Sequence, residues 1–209
     1  MLNLDRIRSA PVRQEPYPYF VVADAIPADK AKAAAKAFPA IDRPGTVDVN
    51  ETRFGPSFAE LLDELKGDRF RELIAEEFDV DLDDKDILVN VRGQTRLTDG
   101  NIHTDTPSKL VTVLLYFNEP GAADDTSLRI LNNGKNLDDY VEEVRPDLGT
   151  MLAFKVTPNC WHGHKPVAGK RLSLQMNYLS GVKTHGKHQL AHRLVGRMKR
   201  KLGRLVSQM

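Results

Sequence analysis

Short apolar runs separated by turn residues dominate the second half of this chain of 209 residues. Five such runs, rich in valine, leucine and aromatic residues, lie at 87–92, 110–118, 127–131, 149–156 and 171–179. Turn-forming pairs such as Asp99-Gly100 and Pro120-Gly121 stand between them, and no long helical pattern intervenes. Consecutive strands without crossover helices predict antiparallel sheets that pack as a sandwich or jelly roll.

The first half of the chain predicts helices instead. The Ala- and Lys-rich segment 27–38 favours a helix because its residues lose little side-chain freedom there. A second apolar pattern begins at Ser57, the expected N-cap, and recurs at helical spacing as far as Phe78. Gly67 is expected to divide it into two helices.

The predicted organisation is one domain followed by a tail. Tyr19 to Val22 favours an early strand, and residues 1–16 are expected to form a poorly packed arm. The predicted segments are a single domain at 1–180, its helical N-terminal part at 1–83, its jelly-roll core at about 84–180 and a basic helical tail at 181–209.

Composition excludes several classes of protein. The single cysteine, Cys160, rules out an intrachain disulfide framework and a Cys-based zinc finger. No apolar run approaches the roughly 20 residues that span a bilayer. Residues 1–20 lack the apolar region of a secretory signal, so a cytoplasmic protein is expected.

Charge is distributed unevenly along the chain. The net charge is +1, but the residues from Val182 onward carry eight basic side chains and no acidic one, so residues 1–181 carry −7. An acidic body argues against nucleic-acid binding there. The tail shows an apolar stripe at helical spacing, formed by Leu190, Leu194, Met198, Leu202 and Leu205. Such a basic amphipathic helix either contacts an anionic membrane surface or packs on the domain.

Two histidine motifs point to a metal site. In His103-Thr104-Asp105, strand alternation places the imidazole and the carboxylate on one face. A later histidine, within Trp161-His162-Gly163-His164, could complete a set of two histidines and one carboxylate, which leaves open positions on Fe(II). The short motif alone fits a solvated turn at a strand end equally well.

A basic residue, Arg171, follows His162 by nine residues. Alternation places Arg171, Ser173, Gln175 and Asn177 on one face of the last predicted strand. A guanidinium beside a hydroxyl can hold a carboxylate through two charge-assisted hydrogen bonds. The alternative is an ordinary surface arginine.

Together these segments resemble a known family. The matching segments are His103-Thr104-Asp105, the strand 111–118, residues 149–154, residues 161–167 and residues 169–174. In this order they resemble the non-haem Fe(II)/2-oxoglutarate-dependent dioxygenases, in particular the prolyl-hydroxylase-like branch. The resemblance covers residues 84–180.

The resemblance implies a fold, a site and a reaction. The fold is a double-stranded β-helix (jelly roll) with helices packed outside it. The residues it assigns are His103, Asp105 and His162 as iron ligands and Arg171, Ser173 and Tyr116 around the distal carboxylate of 2-oxoglutarate. It further implies Fe(II), 2-oxoglutarate and O2 as cofactors, ascorbate as a stimulant, and hydroxylation of a substrate with release of succinate and CO2. The carboxylate of Asp105 argues against a halogenase.

His162 is preferred over His164 as the third ligand. The family pattern places a proline four residues after the ligand and an arginine nine residues after it, which Pro166 and Arg171 satisfy only for His162. His164 is then expected near the ligands or the substrate. The sequence departs from the family around Gly93, where no second tyrosine for the cosubstrate is found.

The strand before His103 has one polar face, formed by Asn90, Arg92, Gln94 and Arg96. This face either recognises a polar or anionic substrate or is a solvated sheet face. Two rival functions remain at this stage: a jelly-roll binding or sensing module without turnover, and a cupin-like metalloenzyme that does not use 2-oxoglutarate. The substrate, whether a small molecule or a group borne by a protein or glycan, is not identified by the sequence.

Overall fold

The protein is described here by a computed structural model that places residues 1–123 and 126–181. The described helices are α1 (Leu4–Arg8), α2 (Ala28–Lys36), α3 (Pro56–Lys66) and α4 (Asp68–Phe78). The described strands are β1 (Tyr19–Val22), β2 (Val47–Asp48), β3 (Ile87–Thr95), β4 (Lys109–Tyr116), β5 (Leu128–Leu131), β6 (Tyr140–Val144), β7 (Met151–Lys155), β8 (His162–Gly163) and β9 (Gly169–Leu179). A 3₁₀ turn spans Val49–Glu51.

Two antiparallel sheets form the body. The major sheet has the strand order β1-β7-β4-β9-β3-β2, and the minor sheet has the order β6-β5-β8. An isolated bridge between His103 and His162 extends the minor sheet by one further segment. Non-consecutive neighbours in both sheets are the connectivity of a jelly roll, so the predicted fold class is confirmed.

The helices cover one side of the major sheet, which we call its helix-side face. Apolar residues on α3 and α4, including Leu65 and Ile74, are fully buried against this face. The sheet contributes Val113, Leu174 and Met176 to the same cluster. Because these sheet residues alternate with inward ones, β4 and β9 each serve two cores at once.

The opposite side of the major sheet faces the minor sheet, and we call it the interior face. A second apolar cluster joins Leu114 and Phe154 of the major sheet to Leu128, Ile130 and Val144 of the minor sheet. These contacts across the gap hold the two sheets face to face. The interior face also carries polar side chains of β3 and β9, such as Asn90 and Gln175. These two residues are paired across the sheet and therefore lie on the same face.

The structure corrects the prediction for the first residues. The poorly packed arm is wrong, because α1 lies there and its Ile7 is fully buried in the helix-side core. The side chain of Asn3 caps this helix by accepting a hydrogen bond from the backbone N–H of Arg6 at 3.2 Å.

One further boundary differs from the prediction. Ser57 is not the N-cap of α3, since the helix begins at Pro56 and Gly55 stands at the cap. Pro56 at the first helical position needs no hydrogen-bond acceptor for its nitrogen, so the helix starts one residue earlier. The division of the helical stretch at Gly67 is confirmed.

The basic tail predicted at 181–209, with its proposed helix and membrane contact, lies outside the described residues except for Gly181. Among the residues that the structure describes, no helix is both long enough and apolar enough to cross a bilayer.

Candidate active site

The interior face and the bridge at His103 bring three predicted ligands together. The loop after β3 carries His103 and Asp105, and the short strand β8 carries His162. One ligand atom from each of these residues lies within 4.8 Å of the others. The two imidazole rings have their centroids 4.3 Å apart. Residues far apart in the chain therefore meet as the His-x-Asp…His pattern predicted.

Both histidines are fixed in one tautomer by the backbone. Nδ1 of His103 lies 2.7 Å from the carbonyl oxygen of Asn101, and Nδ1 of His162 lies 2.8 Å from that of Cys160. A carbonyl only accepts, so each Nδ1 carries the proton and each Nε2 keeps its lone pair. Histidines that bind metals are typically oriented in this way.

The carboxylate of Asp105 is held from two sides. Lys109 donates from Nζ to Oδ1 at 2.9 Å, and the hydroxyl of Thr112 donates to Oδ2. Burial raises the pKa of Asp105, but the charge of Lys109, the interaction with His162 and these hydrogen bonds outweigh it and lower the pKa overall. Asp105 is therefore an anion at neutral pH, as a metal ligand must be.

The protonation of His162 also suits a ligand. Burial, followed by the neighbouring His103, lowers the pKa of His162 to about 4. The ring is neutral at pH 7. Two imidazoles and one carboxylate are the donor set that favours Fe(II) with open positions, so the residues present fit that metal.

A second polar group lies further along the interior face. Ser173 on β9 is paired with Tyr116 on β4, which puts both side chains on the same face. Arg171 is 5% exposed, and its Nη2 donates to the hydroxyl of Tyr116 at 3.4 Å. The structure therefore brings together the three residues predicted for the distal carboxylate.

Two buried donor atoms on the interior side of β9 have no hydrogen-bond partner. They are Nε of Arg171 and Nδ2 of Asn177. Arg171 also forms no ion pair with any carboxylate of the described residues. A buried guanidinium without an anion costs free energy, and an anionic ligand at this position would lower that cost.

His164 does not join the three candidate ligands. Its Nδ1 lies 2.7 Å from the carbonyl oxygen of Lys165. Burial, followed by the charge of Arg171, lowers its pKa to about 4, so it is neutral beside the arginine. The preference for His162 agrees with this placement.

Two residues of the site were not singled out from the sequence. Lys109 and Thr112 hold Asp105, yet a lysine and a threonine at the start of a strand carry no distinctive signal. The alternation of β4 does place Thr112 inward with Leu114 and Tyr116, but it does not show that Asp105 folds back onto it.

Trp161 lies beside the site and is not one of the candidate metal ligands. Its backbone carbonyl accepts from the hydroxyl of Tyr17 at 3.0 Å and from the N–H of Leu131 at 3.0 Å. A Cβ at Gly134 would lie 2.8 Å from the indole ring, so the ring is covered closely by that glycine. Trp161 therefore contacts both the minor sheet and the loop that carries Gly134.

Comparisons with known proteins agree with this site. The family model described as the 2OG-Fe(II) oxygenase superfamily matches residues 93–179. This segment contains His103, Asp105, His162 and Arg171. Members of this superfamily use Fe(II), 2-oxoglutarate and O2, which confirms the cofactor prediction at the level of the family. No curated protein matches the chain by sequence.

Solved structures show the same fold. A Pseudomonas putida prolyl-4-hydroxylase is 19% identical, with 84% of this chain and 96% of that chain covered and a TM-score of 0.56. The viral collagen prolyl hydroxylase of Paramecium Bursaria Chlorella virus-1, in its 2OG complex, is 14% identical, with 78% and 96% covered and a TM-score of 0.53. A Trichoplax adhaerens prolyl hydroxylase is 14% identical, with 85% and 87% covered and a TM-score of 0.52. The predicted resemblance is confirmed.

Proposed function

We propose that this chain, whose residues 93–179 match the 2OG-Fe(II) oxygenase superfamily, is an Fe(II)- and 2-oxoglutarate-dependent oxygenase that hydroxylates a substrate. The observation that carries the proposal is the meeting of His103, Asp105 and His162 within 4.8 Å, beside an arginine that has no anionic partner among the described residues. When bound, Fe(II) with 2-oxoglutarate and O2 supplies the oxidation and yields succinate and CO2.

His103, Asp105 and His162 would hold the iron in this proposal. The carbonyls of Asn101 and Cys160 keep the rings turned so that Nε2 can serve as the ligand atom. Lys109 and Thr112 orient the carboxylate and keep it ionised. His103 is exposed and His162 is buried, so solvent reaches the site at His103.

Arg171 would hold the distal carboxylate of 2-oxoglutarate, with Tyr116 and Ser173 beside it. The guanidinium offers an unused Nε–H, and the hydroxyls can add hydrogen bonds to the same anion. Holding that end fixes the keto acid end toward the candidate ligands. This positioning is the contribution that the protein makes to the chemistry of its cofactor.

The first experiment measures succinate formed from 2-oxoglutarate by the Fe(II)-loaded protein with ascorbate, with and without candidate substrates. Asp105→Ala should reduce succinate to background because it removes one ligand. Asp83→Ala is the matched control, since Asp83 is an exposed carboxylate on the loop before β3. Equal succinate from wild type and Asp105→Ala would favour a binding module without turnover.

A second experiment separates the cupin-like rival, which uses no 2-oxoglutarate. Calorimetric titration under anaerobic conditions, with Mn(II) in place of Fe(II), measures 2-oxoglutarate affinity without turnover. Arg171→Met should abolish measurable binding while metal affinity persists. Unchanged affinity would support the cupin-like reading.

Contact with anionic membranes through the basic segment after Val182 remains a proposal, supported by its eight basic and no acidic residues. Co-sedimentation with anionic vesicles should fall when the residues after Thr184 are deleted. Zwitterionic vesicles are the control, and unchanged sedimentation would exclude this contact.

A further inference from the structure

One row of side chains crosses three strands of the interior face. Arg92 on β3 is paired with Ser173 on β9, and Ser173 is paired with Tyr116 on β4. Paired residues project to the same side of a sheet, with Cβ atoms about 5 Å apart. Arg171 stands two positions from Ser173 on the same side. Arg92 and Arg171 therefore flank one short stretch of the interior.

Arg92 is thus turned toward the site, whereas Gln94, beyond a register shift, is paired with Lys170 on the other face. The side chain of Arg92 is 22% exposed, and its Nη1 donates to Oδ2 of Asp99 at 2.9 Å. Asp99 also accepts from Arg96, whose side chain is 51% exposed. A single carboxylate therefore serves Arg92 and Arg96, and it forms no ion pair with Arg171.

A buried and a partly buried guanidinium group near each other repel. Burial, followed by the charge of Arg171, lowers the pKa of Arg92, which shows that the two cations interact. An anion between the two arginines would relieve this repulsion.

Electrostatic neighbours place Arg92 at the Arg171 end of the site. The hydroxyl of Tyr116 interacts with Arg171 and with Arg92. Asp105 interacts instead with Lys109 and His162. The charges therefore fall into two groups, and Arg92 belongs to the group away from the candidate metal ligands.

The loop after β3 holds the head of Arg92 in place. Oδ2 of Asp99 accepts the backbone N–H of Arg96 at 3.1 Å, which orients the carboxylate. The next residue, Gly100, has φ +93°, and a Cβ there would lie 2.3 Å from the carbonyl oxygen of His164. Only glycine fits this close approach, so the loop is packed firmly against β8 and its neighbours.

We propose that Arg92 is a second guanidinium for the distal carboxylate of the cosubstrate, acting across from Arg171. The carboxylate would lie between two cations, with Asp99 keeping Arg92 oriented. Arg92 thereby makes the site selective for a keto acid with a second carboxylate. This inference rests on the proposed function, because it concerns the same cosubstrate.

The test compares two ligands that differ only in the distal carboxylate: 2-oxoglutarate and 2-oxopentanoate. Affinities are measured by anaerobic calorimetry on the full chain loaded with Mn(II). Arg92→Met should weaken 2-oxoglutarate binding by about 10-fold or more, the range for a charged hydrogen bond, and leave 2-oxopentanoate binding unchanged. Arg92→Lys should recover part of the loss, since it keeps the charge but not the fork.

Arg96→Met is the matched control, because it also removes a partner of Asp99 but from the exposed side. It should leave both affinities unchanged. The role of Arg92 would be overturned if Arg92→Met bound 2-oxoglutarate as tightly as wild type while Arg171→Met did not bind it. That result would leave the proposed function intact. Equal weakening of both ligands in Arg92→Met would also overturn the role of Arg92. Absence of 2-oxoglutarate binding by wild type would instead overturn the proposed function.

Discussion

The two faces of the major sheet solve different problems with the same strands. On the helix-side face, β4 and β9 present Val113, Leu174 and Met176 to the helices in a core of apolar residues. On the interior face, β9 presents Arg171 and Ser173. The first arrangement gains stability from burial, whereas the second retains buried polar atoms that a ligand can satisfy.

Because of this contrast, substitutions at neighbouring residues of one strand should affect different properties, either stability or ligand binding. Leu174 and Ser173 are adjacent, yet one faces the helices and the other faces the candidate site. Four predictions test whether stability and ligand binding are divided between the two faces in this way.

The largest effect is expected at Leu174, which is fully buried. Leu174→Ala should lower the free energy of unfolding by about 2–5 kcal/mol because it leaves a cavity, as measured by urea denaturation. Ser173→Ala, the control on the other face, should change stability by roughly 1 kcal/mol or less and weaken 2-oxoglutarate binding. A Ser173→Ala loss of stability as large as that of Leu174→Ala would contradict the division.

Substitution of Arg171 should raise stability but reduce ligand binding. Arg171→Met removes a buried cation that lacks an anionic partner, so the ligand-free protein should gain about 1 kcal/mol of stability or more while losing 2-oxoglutarate binding. Lys170→Met is the control, since the adjacent Lys170 is exposed and should change stability by roughly 0.5 kcal/mol or less. A destabilised Arg171→Met protein would show that the arginine supports the fold.

Lowering the pH should reduce stability through two histidines on the interior side. His162 and His164 have pKa values of about 4 in the folded chain, below the usual value of about 6.5 that applies after unfolding. The unfolded chain therefore binds more protons between these values, and the stability of metal-free protein should fall as pH drops from about 6.5 to 4.

Urea midpoints measured across this pH range with a chelator present would test this. His164→Gln removes one of the two groups, so the fall in stability with pH should become shallower. An unchanged slope in His164→Gln would mean that other groups cause the acid sensitivity.

The smallest effect is expected at two buried tyrosines. Tyr178 lies in the helix-side core, and its hydroxyl has no hydrogen-bond partner. Tyr178→Phe should therefore raise stability by about 1 kcal/mol and leave 2-oxoglutarate affinity unchanged. Tyr116→Phe removes the hydroxyl that accepts from Arg171 and should weaken that affinity several-fold. Calorimetry on both variants measures their 2-oxoglutarate affinities. A weaker affinity in Tyr178→Phe would contradict the division between the two faces.

The sequence predicted the parts of this fold that depend on strong periodicity. The runs that became β4, β7 and β9 are long and rich in apolar residues, so their alternation was sufficient. By contrast, β6 is an edge strand with two glutamates, and β8 has two residues and exists only through its pairing with β5. Neither carries a local pattern, because tertiary contacts define them.

The candidate site was predictable to a similar degree. The family resemblance assigned His103, Asp105 and His162 to the metal site, and alternation indicated that Arg171 and Ser173 share a face. The inward orientation of Arg92 was not decidable from alternation alone, since a polar face of a strand is usually solvated. The pairing of Arg92 with Ser173 of β9 turns this side chain inward, and that pairing depends on tertiary structure.

The position of Trp161 gives the molecule a built-in optical reporter. It is the only tryptophan of the chain, it directly precedes His162, and its indole lies under Gly134. Intrinsic fluorescence therefore arises from one known point beside the candidate metal ligands. Quenching by a paramagnetic ion would register loading of the centre, and a shift in emission colour would register displacement of the loop that carries Gly134, without any attached dye.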